Sequence, residues 1–348
     1  MKVIVIGAGL GGLTLAQGLR RAGIDVAVYE RDGARGRTQG VSLHVDDRGT
    51  AALQGCLPSA HVAMIDATMG GPREQTLSLS EVDGSLAVVG VEPSVARPGR
   101  QAHRPLLRAI LLTGLEVRFG TEFTRFEQLP DGLVRAWFAD GSTDTADVLV
   151  GADGIGSAVR RQYLPQAQVI DTGRRMLMGA TALRLTPELP DLIGDNPAVA
   201  RIPDTTMVVA ALRFTSPPTV ARQRFLPALP HSAVALEDYL MWALPGPAGD
   251  LPRAFQRIVD KAWPEMTSEL RTGTIPPIPA WPASPVTVLG DAIRLAPGFG
   301  GNLAMRDAHR LCLALAEADR GQLPLLDAIG SYEDTMRTSV PVPAKARR

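Results

Sequence analysis

Cysteine is nearly absent. Cys56 and Cys312 are the only two in 348 residues, and they lie far apart. They give neither a disulfide framework nor a zinc-ligand spacing, so a reducing, cytoplasmic setting is expected. Net charge is absent too, because 36 Lys and Arg balance 36 Asp and Glu. Nucleic-acid binders usually carry a marked basic excess, so no such partner is expected. No apolar run reaches the length of a membrane span, and the N-terminus lacks a signal-peptide pattern. His44, His61, His103, His231 and His309 show no metal-ligand spacing, and no Ser/His/Asp arrangement stands out. What remains is an ordinary globular composition, 45% hydrophobic, with Gly 35 and Pro 28 marking plentiful turns. Disorder is excluded, and the length suits one large domain or two ordinary ones.

The first thirty residues carry a specific pattern. Val3-Ile4-Val5-Ile6 is a continuous β-branched run, as expected of a strand buried on both faces. Gly7, Gly9 and Gly12 then satisfy G-x-G-x-x-G, with Leu10 at the helix start. A helix is expected from Gly12 to Ala22, ended by Gly23, and a second strand over Val26–Tyr29. Glu30 sits at that strand's end. Each position has a physical use. Gly7 permits the tight turn, Gly9 lets the backbone approach a pyrophosphate, and Gly12 lets the helix lie close to the sheet. The helix N-terminus offers free N–H groups to phosphates, and Glu30 can accept bonds from ribose hydroxyls. This unit alone leaves FAD and NAD both open.

Two later segments repeat the theme of buried strand, Gly and Asp, then a loop into a helix. One runs from Asp147 through Gly151 and Asp153-Gly154 to Arg160, after a hairpin over Val134–Ala139 and Thr143–Ala146. The other runs from Val286 through Gly290-Asp291 to Asn302 and a helix over Leu303–Leu315. Together with the glycine motif, these resemble the three fingerprints of the class A flavoprotein monooxygenases, typified by para-hydroxybenzoate hydroxylase. Glu30-Arg31, Gln39-Gly40 and Arg104 in His103-Arg104-Pro105 match further family positions.

The resemblance implies an α/β fold: a Rossmann-like FAD-binding domain with an interleaved β-sheet substrate domain. It places 1–70, 98–170 and 285–340 in the first, 71–97 and 171–284 in the second, and 341–348 in a tail. It implies non-covalent FAD held by Gly7, Gly9, Leu10, Gly12, Glu30, Arg31, Arg104, Asp153, Asp291, Gly301 and Asn302. Asp291 would bond the ribityl hydroxyls, and Arg104 the phosphates or ribityl chain. Asp153 would serve FAD and NAD(P)H. Read alone, Asp153 and Asp291 could equally be helix caps, and Arg104 a surface residue. Trp242 and Met241 could face substrate or core, whereas Met176 and Met178 are expected in the core. His309 is expected on the surface or in packing.

The implied activity is hydroxylation of an aromatic or polyketide-type molecule by NAD(P)H and O2, through a flavin C4a-hydroperoxide. A flavin dehydrogenase or reductase, and a degenerate FAD-binding protein, are the alternatives. The second draws on a departure from the family pattern. Arg294 stands where the family has His, and Pro297 to Asn302 is three residues shorter than usual. A shorter loop offers fewer backbone donors to the flavin, so weak retention and wasteful peroxide release are expected. Arg294 could supply charge there or lie on the surface.

Overall fold

The computed structural model describes residues 1–34, 40–94, 97–186, 188–202, 205–246, 251–296 and 300–339. Its first strand, β1 (Lys2–Ile6), is central, with Val3, Ile4 and Val5 fully buried. The helix α1 (Leu10–Arg21) begins two residues earlier than its apolar spacing suggested, because Gly9 already caps it. Gly23 ends the turn at φ +81, a left-handed conformation that glycine adopts without strain. β2 (Asp25–Glu30) then pairs parallel with β1, Ile6 opposite Tyr29.

The elements of this half that frame the crevice are α2 (Asp47–Cys56), α3 (Arg104–Leu112), β3 (Val117–Phe119), β4 (Val148–Gly151), β5 (Val286–Val288) and α4 (Gly300–Asp319). The parallel sheet has the order β5-β4-β1-β2-β3. The chain moves outward from β1 in one direction and then returns to its other side at β4. That reversal opens a crevice beyond the C-terminal ends of β1 and β4, where such sheets bind ligands. Ile6 is level with both Tyr29 and Gly151, so Gly7, Glu30 and Asp153 emerge along one edge. Leu13, Leu15 and Leu19 of α1 share one core with Leu311 and Leu315 of α4.

The hairpin expected after residue 133 is present as Val134–Phe138 and Thr143–Ala146, with Gly141 at φ +84 in its turn. It joins Phe123–Gln128 in a three-stranded antiparallel sheet. A short ribbon pairs Ser42–Asp46 with Gly99–His103.

The second large sheet has seven strands, ordered Ser268–Thr274, Ile170–Ala182, Tyr239–Pro245, Thr205–Leu212, Ala198–Ile202, Gln75–Val82 and Ser85–Pro93. One face carries Leu79, Ala200, Val209, Trp242 and Leu244, packed with Phe255 and Ile258 of the helix Arg253–Asp260. Pro252 caps the start of that helix, and Lys261 ends it. Trp242 is therefore core: it is fully buried and donates its indole N–H to Thr181 Oγ1 at 3.2 Å. Residues of the opposite face alternate with these. Tyr239, Met241 and Ala243 lie there, level with Ala182, Ala180 and Met178 on the next strand.

Candidate active site

The glycine loop divides its glycines by task. A Cβ on Gly12 would lie 2.1 Å from Gly7 O, so only glycine lets α1 settle on the sheet. Gly7 sits at φ +108, and a Cβ there would lie 2.4 Å from Ala152 O. Gly9 differs: nothing lies within 4 Å of where its Cβ would be. Its backbone is ordinary extended chain, φ −80, and it caps α1 without a side-chain bond. The first helical bond between main-chain groups runs from Leu13 N to Gly9 O at 3.0 Å. The N–H groups before it have no acceptor within the helix, no acidic residue lies in the first turn, and the space at Gly9 is open. Leu10 itself points inward, 5% exposed. Gly11 was not singled out by the motif, yet a Cβ there would meet Leu289 Cδ1 at 2.7 Å and Ala304 Cβ at 3.0 Å.

Glu30 straps this loop to the end of β2. Its Oε2 accepts from Ala8 N–H at 2.8 Å and its Oε1 from Asp32 N–H at 2.9 Å. Arg31 points into solvent. Arg108, overlooked by the sequence reading, completes the brace. Its Nε donates to Ala8 O and its Nη1 to Ala34 O, both at 3.0 Å. The available signal was its spacing, one helical turn after Arg104 on α3. Burial lowers the Arg108 pKa, while Glu30 and Asp32 oppose that effect.

Arg104 and Asp291 carry the other end of the crevice. Arg104 opens α3, its N–H donating to Val41 O at 2.9 Å. Burial lowers its pKa, and the Asp291 charge pulls it back up. Asp291 mirrors this: burial raises its pKa and Arg104 lowers it. Yet Asp291 is reached by solvent. Its carboxylate is thus reached by solvent while flanked by protein. Its Oδ1 lies 2.8 Å from where a Gly300 Cβ would be, so it rests against the first turn of α4.

Three predicted site residues are occupied by the protein itself. Asn302 is fully buried; its Oδ1 accepts from Asp46 N–H at 3.0 Å and its Nδ2 donates to His44 O at 2.7 Å. Its side chain ties α4 to the ribbon. Gly301 lies beside Leu43, 2.9 Å from a would-be Cβ. Asp153 braces the next helix, its Oδ2 accepting from Ala158 N–H at 2.7 Å and Val159 N–H at 3.3 Å. Its Oδ1 is buried without a partner, and burial raises its pKa.

Arg294 differs from both of its expected roles. It is neither on the surface nor in the crevice, but donates to Met336 O at 2.8 Å and pairs with the fully buried Asp307 of α4. His309 packs on α2: a Cβ on Gly55 would meet its Nε2 at 2.3 Å. Gln39 and Pro297 to Phe299 lie outside the described residues, so the first half of the short loop does too. Among the described residues, no cluster of His, Cys, Asp or Glu could hold a metal, and no helix is long and apolar enough to cross a membrane.

The family profile described as an FAD binding domain matches residues 1–199. The chain belongs to the FAD-dependent monooxygenase family. Its fold is the para-hydroxybenzoate hydroxylase type, an FAD-binding α/β domain with an interleaved β-sheet. A solved structure of a candidate FAD-containing monooxygenase from Photorhabdus luminescens is 30% identical. It covers 97% of this chain and 94% of that one, with TM-score 0.78. HpxO of Klebsiella pneumoniae, solved with FAD and uric acid, has TM-score 0.70 at 23% identity over 97% of this chain and 84% of its own. The dual O-methyltransferase/FAD-dependent monooxygenase CTB3 of Cercospora beticola is 30% identical over 97% of this chain. The chain spans only 44% of that relative's length.

In this family member the seven-stranded sheet turns its second face toward the FAD-binding half. A Cβ on Gly40 would lie 3.2 Å from Met178 Sδ. Met178 and Met176 are half-buried there, not in the core as expected. The exchange with Trp242 follows from strand alternation: register sends Trp242 to one face and Met241 to the other. Where the halves meet, His103 Nδ1 lies 3.0 Å from Tyr239 Oη, both buried. Burial pushes His103 down to about 4, so the ring is neutral at pH 7.

Proposed function

We propose that this chain is an FAD-dependent monooxygenase that uses NAD(P)H and O2 to hydroxylate an apolar aromatic or polyketide-type small molecule. The observation that carries the reading is the open helix end at Gly9, followed along one crevice by Arg104 facing Asp291. These are anion, hydroxyl and cation partners of the kinds a dinucleotide requires. The Cβ space at Gly9 is the cradle that a pyrophosphate would fill. Reduced FAD supplies the oxygen chemistry; the chain binds, orients and shields it.

The N–H groups from Leu10 onward would hold the pyrophosphate, with Gly7 and Gly12 fixing the loop. Glu30 would orient the adenosine ribose with its free lone pairs, beside the exposed Arg31. Asp291 would accept from the ribityl hydroxyls, and Arg104 would neutralise negative charge nearby. Gly301 and Asn302 would contribute main-chain groups. Asp153 would act on the crevice through the loop it braces. The substrate wall would be Met176, Met178, Ala180, Met241 and Ala243. Thioethers and methyls exclude water and accept a flat apolar ring without demanding a charge. HpxO, solved with uric acid, and Pseudomonas aeruginosa PqsL, solved with 2-aminobenzoylacetate, are relatives by fold that take small ring-bearing molecules, which supports a ring substrate.

The test is NAD(P)H oxidation and O2 uptake by the FAD-loaded protein across a panel of phenols and polyketide aromatics. A substrate that accelerates both supports the reading. NAD(P)H oxidation that never responds to O2 would point to a dehydrogenase instead. Given the short loop after Pro297, part of the O2 consumed should appear as hydrogen peroxide.

A further inference from the structure

Cys56 and Cys312 meet in space. Cys56 ends α2 and Cys312 lies within α4, and both sulfurs converge over Gly18 of α1. A Cβ on Gly18 would lie 2.7 Å from Cys312 Sγ and 3.0 Å from Cys56 Sγ. Glycine at 18 is what lets two thiols from separate helices share one spot. α2 stays close to α4 from Gly49 to Cys56. Gly49 lies against Asn302 and Met305, Gly55 against His309, and then the sulfurs against each other. The two helices therefore run side by side in the same direction. Their crevice end is held by Asn302, and their far end by two unlinked sulfurs.

The sulfurs are not equivalent. Cys56 is fully enclosed, whereas Cys312 is 6% exposed. A hydrogen bond from the Cys56 thiol holds Cys312 below the ordinary thiol range, and the Arg21 charge acts in the same direction against burial. Arg21 is fixed nearby by the carbonyls of Gln54, Gly55 and Leu57. The Cys56 thiol is pushed up by the same contact and by its burial.

We propose that Cys56 and Cys312 form a reversible disulfide on exposure to a hydroperoxide, stapling α2 to α4 at the end remote from the cofactor crevice. The Cys312 thiolate attacks one peroxide oxygen. An S–O bond forms, the O–O bond breaks, and the departing hydroxide takes a proton to become water. Cys56 sulfur then displaces the hydroxyl from the resulting sulfenic acid. The S–S bond forms, the S–O bond breaks, and a second water leaves with the Cys56 proton. Two electrons pass from the two sulfurs to the peroxide, and a thiol reductant reverses the change. Because α4 begins at Gly300 against Asp291, the staple also steadies the cofactor end of that helix.

The test treats the FAD-loaded full-length protein with hydrogen peroxide and then alkylates it under denaturing conditions. The expected result is loss of two hydrogens in the intact mass, a cross-linked peptide holding Cys56 and Cys312, and reversal by dithiothreitol. Cys56→Ser should accumulate a dimedone-reactive sulfenic acid at Cys312, while Cys312→Ser should give no cross-link and little dimedone adduct. The oxidised wild type should release FAD several degrees higher on heating than the reduced protein. Two free thiols after peroxide, or sulfinic acid on either cysteine without a cross-link, overturn the proposal. A cross-link with an unchanged FAD release temperature overturns the coupling to α4. Because the thiol readout is a mass, it holds whether or not a substrate is ever found.

Discussion

Replacing Gly9 with Val separates cofactor binding from folding. The protein leaves the Cβ position of Gly9 open, with nothing within 4 Å, and the backbone there is extended, which valine prefers. The apoprotein should therefore fold almost as well as the parent, losing about 0.5 kcal/mol for the weaker cap. The isopropyl group would occupy the space of the pyrophosphate. Losing two charge-assisted hydrogen bonds of about 1.5–3 kcal/mol each weakens FAD binding by roughly 10²–10⁴ in Kd. Gly12→Ala is the contrast. Its Cβ would lie 2.1 Å from Gly7 O, a backbone atom, so α1 must lift off the sheet. Overpacking of that kind costs about 1–3 kcal/mol or more before any cofactor is considered. The assay is thermal unfolding of both apoproteins beside FAD titration by flavin fluorescence. Normal FAD affinity in Gly9→Val would refute the reasoning, and so would apo-unfolding as early as that of Gly12→Ala.

Three further outcomes are expected. Asp291→Ala should cost about 1–3 kcal/mol of FAD affinity, read by the same titration, with apo-stability nearly unchanged because the carboxylate is reached by solvent. Arg108→Ala should weaken FAD about tenfold by freeing Ala8 and Ala34, and Arg108→Lys should not restore it, since one ammonium cannot span both carbonyls. Glu333, almost fully buried and bonded to Thr287 Oγ1, is pushed up to about 7 by burial. The folded protein keeps a proton there that the unfolded chain releases near its ordinary value of 4.5, so stability falls as pH rises from about 4.5 to 7. That loss is about 3 kcal/mol at most, and urea unfolding should show it gone in Glu333→Gln.

The parallel sheet and its glycine loop were legible because their chemistry is local. A β-branched run, a turn that demands positive φ at Gly7 and an acid at the strand end all leave marks within thirty residues. Partnerships across the chain left none. Nothing near Asn302 in sequence announces that its amide is filled by Asp46 and His44, over 250 residues away. Arg294 was likewise ambiguous until Asp307 and Met336 appeared beside it. The substrate sheet misled for another reason. Strand alternation fixes that neighbours face opposite ways, but not which set faces the core. Trp242 was open between core and substrate until the register buried it, and Met178, expected in the core on residue type, was turned to the other face. Arg108 escaped because its task, bonding main-chain carbonyls, requires no motif.

The account rests on oxygen passing from O2 to a bound substrate at this crevice. The direct measurement is turnover of the FAD-loaded protein with NAD(P)H under ¹⁸O₂, with mass spectrometry of the product from whichever aromatic accelerates NAD(P)H oxidation. The account predicts one heavy oxygen in the product, and loss of that product in Gly9→Val. Product oxygen derived from water, or full NAD(P)H consumption returned as hydrogen peroxide with every substrate unchanged, would contradict it.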